Sequence, residues 1–120
     1  MTYVDGFVTA VPDGNKTQYL DFTRKAWDMF RDLGALGTME CWGDDVPDGT
    51  VTDFRRAVQA KPGETVVFSW ITWPDKATRD AAMARMMDDS VVAALGGMPF
   101  DGKRMIYGGF STIFNAEAPK

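Results

Sequence analysis

Residues 64–74 alternate without leaving a polar side. Val66, Phe68 and Trp70 fall on one set of strand positions, and Val67, Ile71 and Trp73 on the other. A strand apolar on both sides is covered on both, so this one is expected at the centre of a sheet. Residues 3–11 predict a second central strand. There Val4, Gly6, Val8 and Ala10 make a small-residue side suited to closely packed helices, while Tyr3, Asp5, Phe7, Thr9 and Val11 make a side of rings with one acid.

Pro12-Asp13-Gly14-Asn15 is turn chemistry. Asn15 and Gln18 have capping-box spacing, and Tyr19, Phe22, Ala26, Phe30 and Leu33 recur with helical period, so a helix is expected from about Lys16. Gly34 stands where a helix wants a left-handed residue after its end. Residues 36–44 alternate again, with Met39 and Cys41 opposite Thr38, Glu40 and Trp42. Residues 43–49 are loop, and residues 53–59 suit either a short extra strand or a helical turn. Asp75 can cap a second helix to about Asp88, with Ala77, Ala81, Ala84 and Met87 as its stripe, and Ser90 can cap a further turn ending at Gly96-Gly97. Residues 104–114 read as the last strand, and residues 115–120 as a tail.

The order is β-α-β-β-α-β, which predicts an α+β, ferredoxin-like antiparallel sheet with both helices on one face. One domain over residues 1–114 is expected. By strand parity the face left open would hold Asp5, Phe7, Glu40, Trp42, Phe68, Trp70 and Tyr107. So many rings exceed the exposed patch usual on a monomer, and a two-fold homodimer is the commonest way to cover them. Cys41 would then lie beneath the helices.

Charge and rare residues narrow the chemistry. The chain has 120 residues, a net charge of -4 and scattered cations, which disfavours nucleic acid as a partner. It has no histidine, removing the commonest acid–base residue and transition-metal ligand. Its single cysteine cannot close an intrachain disulfide and suits a reducing cytoplasm. The N-terminus opens on a strand pattern rather than a signal peptide, and no apolar run is long enough to span a membrane. No metal or cofactor is expected, since the acids of residues 44–53 do not match a calcium loop and the glycine pairs do not match a phosphate loop.

Asp5 and Glu40 are the candidate acid–base groups, because a carboxyl among rings is shifted by desolvation. Tyr107 is a candidate hydrogen-bond donor, with Phe7, Trp42, Phe68, Trp70 and Arg104 shaping a pocket. The alternative is that each acid is held in a structural ion pair with Arg104, Arg55 or Arg56.

Four stretches resemble a known family: residues 3–7 (YVDGF), residues 40–49 (ECWGDDVPDG), residues 66–71 (VVFSWI) with Trp73-Pro74, and residues 98–110 (MPFDGKRMIYGGF). They are similar, in order and over nearly the whole chain, to the DUF1428 family of small bacterial proteins. The resemblance implies a dimeric α/β barrel and carries no catalytic residue with it. What related barrels do implies a pocket for a small apolar or aromatic molecule, with cofactor-free oxygenation or isomerisation as the enzymatic version. The alternatives are a binding or regulatory module without turnover, or a dimer that acts through a protein partner.

Overall fold

Two ten-residue strands, β1 (Tyr3–Pro12) and β3 (Glu64–Trp73), pair antiparallel along their full length at the centre of a four-stranded sheet. The computed structural model describes residues 2–119, apart from the side chains of two residues in the helix at 89–94. Shorter strands flank the central pair, β2 (Gly37–Trp42) against β3 and β4 (Ile106–Ser111) against β1, giving the order β2-β3-β1-β4 with every pair antiparallel. This is the ferredoxin-like sheet that the alternation predicts.

The main helix, α1 (Lys16–Asp32), follows a short 3-10 turn over Asp13–Asn15. Asn15 does not cap it; its side-chain amide donates to the Pro99 carbonyl at 2.9 Å instead. Gly34 closes the helix with φ +109, and the bonds Gly34 N–H to Arg31 and Ala35 N–H to Phe30 complete a Schellman turn. Asp75 caps α3 (Lys76–Met86) by accepting from the Thr78 N–H at 2.7 Å. A short α4 (Asp89–Ala94) follows, and there Asp88, rather than Ser90, does the capping, since its carboxylate accepts from both the Ser90 N–H and the Ser90 hydroxyl. Residues 53–59 form a helical turn, α2 (Phe54–Ala57), capped by Asp53.

Helices α1 and α3 lie on one face of the sheet. Tyr3, Ile71, Trp73, Ala35 and Ala82 pack there with Trp27, Phe30, Leu33 and Met83. The buried side of α3 is thus Ala82 with Met83, and Met87 is exposed, because Arg79 turns inward and sets the rotation of the helix.

The register corrects the expected faces. Phe7 stands beside Ser69, and Ser69 beside Glu40, so β1 presents Tyr3, Asp5, Phe7, Thr9 and Val11 to the helices, not Val4, Gly6, Val8 and Ala10. Glu40, Trp42 and Tyr107 share that helix-covered face. Phe68 and Trp70 lie on the other face with Met39 and Cys41, so Cys41 is not beneath the helices. The small residues of β1 serve a different close approach. Val58, just after α2, is fully buried against Val8, Ala10 and Val66, and Phe54 meets Phe68 edge-on at 6.1 Å. The rest of the face opposite α1 and α3 is open, with Met39, Phe68, Ile106 and Phe110 all exposed.

Candidate functional site

On the helix-covered face, four side chains line up across the sheet: Glu40 on β2, Ser69 on β3, Phe7 on β1 and Tyr107 on β4. Above the first three, α1 and the segment after α3 enclose a half-open cavity of about 380 Å³. Its walls are mostly apolar, with Phe22, Trp27 and Phe30 from α1, Ile71 from β3, and Met98 and Phe100 from the segment before β4. Phe100 is held by Tyr19 at 5.7 Å and Phe22 at 5.9 Å between ring centres. The volume falls within the range of small-molecule sites.

Among the polar lining residues, one group is built around the Glu40 carboxylate. The Tyr19 hydroxyl, on a side chain only 6% exposed, donates to the Glu40 carboxylate at 2.5 Å. The buried Ser69 hydroxyl is a second hydrogen-bond partner of that carboxylate. Glu40 sits on an edge strand and is exposed as a residue, but its carboxylate end meets two buried hydroxyls. Burial pushes the Glu40 carboxyl above the usual glutamate range, and the bonds to Tyr19 and Ser69 hold it partly back. Tyr19 is pushed well above the usual phenol range, first by burial and then by the neighbouring carboxylate. The pair can therefore take up or release a proton at Glu40, while Tyr19 stays a neutral donor. Thr9 also lines the cavity and is 2% exposed; its hydroxyl has no hydrogen-bond partner among the described residues.

The other expected site residues are dispersed. Asp5 is buried on the same face but bound to Arg79, through Nε at 3.0 and 3.1 Å and Nη2 at 2.8 Å, and to the Trp73 indole N–H at 2.9 Å. Asp5 is thus held in an ion pair, but with Arg79 and not with Arg104, Arg55 or Arg56. Tyr107 is 72% exposed and stacks on Phe7 at 6.4 Å. Trp42 packs beside Val11 and Tyr19 beneath the Lys16 ammonium. Phe68 and Trp70 are on the opposite face. Arg104 grips Glu64 with two bonds of 2.8 and 2.7 Å, and also Asp101 and the Gln59 carbonyl, pinning the α2 loop to the start of β3. Of the expected residues, Phe7 and Glu40 line the cavity. Tyr19, Ser69 and Thr9 were not expected there: Tyr19 counted only as part of the helical stripe, and Ser69 and Thr9 carry no motif.

Among the described residues no group of three or more His, Cys, Asp and Glu is placed to hold a metal. No helix among them is long and apolar enough to cross a membrane.

Two solved structures share the fold. A dimeric ferredoxin-like protein from an uncultured marine organism aligns with a TM-score of 0.59 and 11% identity, over 97% of this chain and 100% of that one. HapK from Hahella chejuensis aligns with a TM-score of 0.51 and 13% identity over the whole of both chains. Likeness at such identity speaks to the fold. Sequence likeness goes further. The Escherichia coli (strain K12) protein named "Uncharacterized protein YbaA" is 56% identical over 116 residues, 96% of this chain and 99% of that protein. The family model described as "Protein of unknown function (DUF1428)" matches residues 2–102. The chain belongs to the DUF1428 family.

Proposed function

We propose that this protein binds a small, neutral, largely apolar molecule in the cavity beneath α1, and that Glu40 exchanges a proton with it. One observation carries the proposal: the carboxylate entering a mostly apolar cavity is held by hydroxyls, from Tyr19 and Ser69, with no cation among these partners. A carboxyl whose proton affinity is raised by burial is a better general base for a carbon acid than a solvated one. Proton abstraction from carbon is the shared first step of isomerisation and of cofactor-free oxygenation, so the two enzymatic versions converge on one residue. Asp5, bound to Arg79 and Trp73, belongs to the structure in this reading.

The test is deuterium exchange into α-tetralone, a neutral bicyclic ketone, followed by proton NMR in heavy water. The protein should accelerate exchange next to the carbonyl, and Glu40→Gln should remove the acceleration by at least tenfold, the low side of what a positioned base supplies (~100-fold or more). Binding without any protein-dependent exchange leaves a binding module and sinks the base.

The face opposite α1 and α3 supports a second element, a homodimer formed through that face. Met39, Phe68, Ile106 and Phe110 are between 44% and 61% exposed on one face, and the first of the structural relatives above is described as dimeric. Such a patch on a soluble domain is a place for association. The ligand cavity and the dimer face lie on opposite sides of the sheet, so neither excludes the other.

A further inference from the structure

Residues 105–116 carry no charge, and most of their large side chains are bare. Ile106 and Phe110 project from β4 on the face opposite α1 and α3, and beyond the strand Ile113 and Phe114 are 91% and 84% exposed. The course of that segment is fixed where it leaves the sheet: the Thr112 N–H donates to the Thr2 carbonyl at 3.2 Å, and the two threonine hydroxyls meet at 2.9 Å. Two adjacent apolar side chains are thus held in water at the end of an edge strand, and such surface marks a contact.

Area and charge say what the contact is. The exposed large residues of the face, Met39, Phe68, Ile106 and Phe110, leave on the order of 400 Å² bare, taking ~200 Å² for a fully exposed large side chain. A stable pair needs ~800 Å² per partner. Ile113, Phe114 and the half-exposed Phe54 of α2 raise the bare area to roughly 850 Å². Apart from Glu64, which Arg104 pairs beside α2, no strand position on this face is charged, so a second copy can meet it without burying an unpaired charge.

The face is also stepped. At one end α2 stands over the sheet, with Val58 packed on Val8, Ala10 and Val66. At the other end Phe110 lies against Gly6 and Gly108, and the chain leaves the sheet beside Thr2. A two-fold axis along the strands would stack α2 on α2 and hold the other ends apart. An axis across the strands sets α2 of each copy against the opposite end of the other, with one block between the sheets at each end. Building on the sheet-face dimer of the proposed function, we infer that it closes in this second way, and that Ile113 and Phe114 of each copy dock against the partner's Phe54.

Two measurements on the full chain test this. In light scattering at micromolar concentration the wild type should be a dimer, and Ile113→Ser with Phe114→Ser should raise its dissociation constant at least tenfold without changing the circular dichroism. An unchanged constant overturns the docking of the tail. For the arrangement, Cys41→Ser removes the native thiol, and Phe54→Cys and Phe114→Cys are made in separate copies, mixed, and oxidised with copper phenanthroline. Intact mass should show a disulfide joining one copy of each kind, in greater yield than either kind gives alone. Disulfides mainly between like copies, or none in a dimer of normal mass, overturn the inference and leave the sheet-face dimer standing. Should a variant of the disulfide assay lose the dimer, the Ile113→Ser, Phe114→Ser measurement decides. A monomeric wild type overturns the sheet-face dimer and this inference together, and leaves the ligand cavity untouched.

Discussion

Replacing Asp5 by Asn is the sharpest test of what holds the helix-covered face together. Asp5 is 3% exposed and accepts from the Arg79 guanidinium and the Trp73 indole, and Trp73 is fully buried. The amide keeps the volume, but it loses the charge and turns a donor towards one of those N–H groups. Removing one partner of a buried ion pair costs ~3–5 kcal/mol. Arg79 is one-fifth exposed and keeps a bond to Asp80 at 3.0 Å, so the low end applies, about 3 kcal/mol. At about 4 °C per kcal/mol for a domain of this length, Tm should fall by about 12 °C. Urea unfolding followed by tryptophan fluorescence gives the free energy directly. Arg79→Met, which keeps an unbranched apolar stem but removes the guanidinium that lies over the Tyr3 ring, should cost a similar amount. The double variant should cost about 3–4 kcal/mol rather than the sum, since each change removes the same interaction. Additive losses, or single losses below about 1 kcal/mol, would refute the claim that this pair is structural. If Asp5→Asn instead kept full stability and abolished proton exchange into α-tetralone, Asp5 and not Glu40 would be the base.

Glu40→Gln should change how stability depends on pH. The folded state raises the Glu40 pKa, so it favours the protonated form: its contribution is full below the ordinary glutamate value and is lost as pH rises through the folded value. The wild type should therefore lose stability relative to Glu40→Gln across that window, and identical pH profiles of the urea midpoint would contradict the buried setting. Glu64 has the opposite sign. Its bonds from Arg104 bring its pKa down to about 2, so its contribution is present above the ordinary glutamate value and is lost as pH falls towards 2. Arg104→Gln should lower the stability at neutral pH and flatten the acid limb of the wild-type curve, as read by circular dichroism. Gly109→Ala puts a methyl group 2.7 Å from the Tyr3 ring and 2.8 Å from Arg79 Nη2, and overpacking of that kind should cost ~1–3 kcal/mol in thermal unfolding. On the face opposite α1 and α3, Phe68→Glu should turn a dimer into a monomer in light scattering, and an unchanged mass would move the interface elsewhere.

Strand and helix identities were legible because period two and period 3.6 are local properties. The Gly34 stop and the Asp75 cap were legible for the same reason. Which strand face meets which was not. Alternation shows that Asp5 and Phe7 share a side, and that Phe68 and Trp70 share one, but relating the two strands needs the register, and a slip of one residue reverses every side chain. Ring size misled as well: the small side of β1 accepts Val58 rather than the helices. The cavity was illegible for another reason. Its acid, its phenol and its threonine Thr9 come from β2, α1 and β1, and only tertiary packing joins them. Glu40 was found because an acid among rings is conspicuous in any sequence. Tyr19 was not, because in a helical stripe a tyrosine reads like a phenylalanine.

Asp5 and Glu40 share one sheet face, yet their partners send them to different work. Arg79 holds Asp5 in a bidentate grip backed by an indole, a countercharge and a geometry that tie this carboxylate to α3. Hydroxyls next to a carboxylate offer hydrogen bonds without a countercharge, so they orient Glu40 and leave burial free to raise its proton affinity. The anchor end of the face is thereby rigid, with Trp73 and Tyr3 packed around the ion pair. The other end keeps a space, and the carboxylate there has a phenol rather than a cation as its partner. In the proposed function, stability and chemistry are thereby separated along the strands of a single sheet, and it is the cation on α3, absent from the partners of Glu40, that draws the line between them.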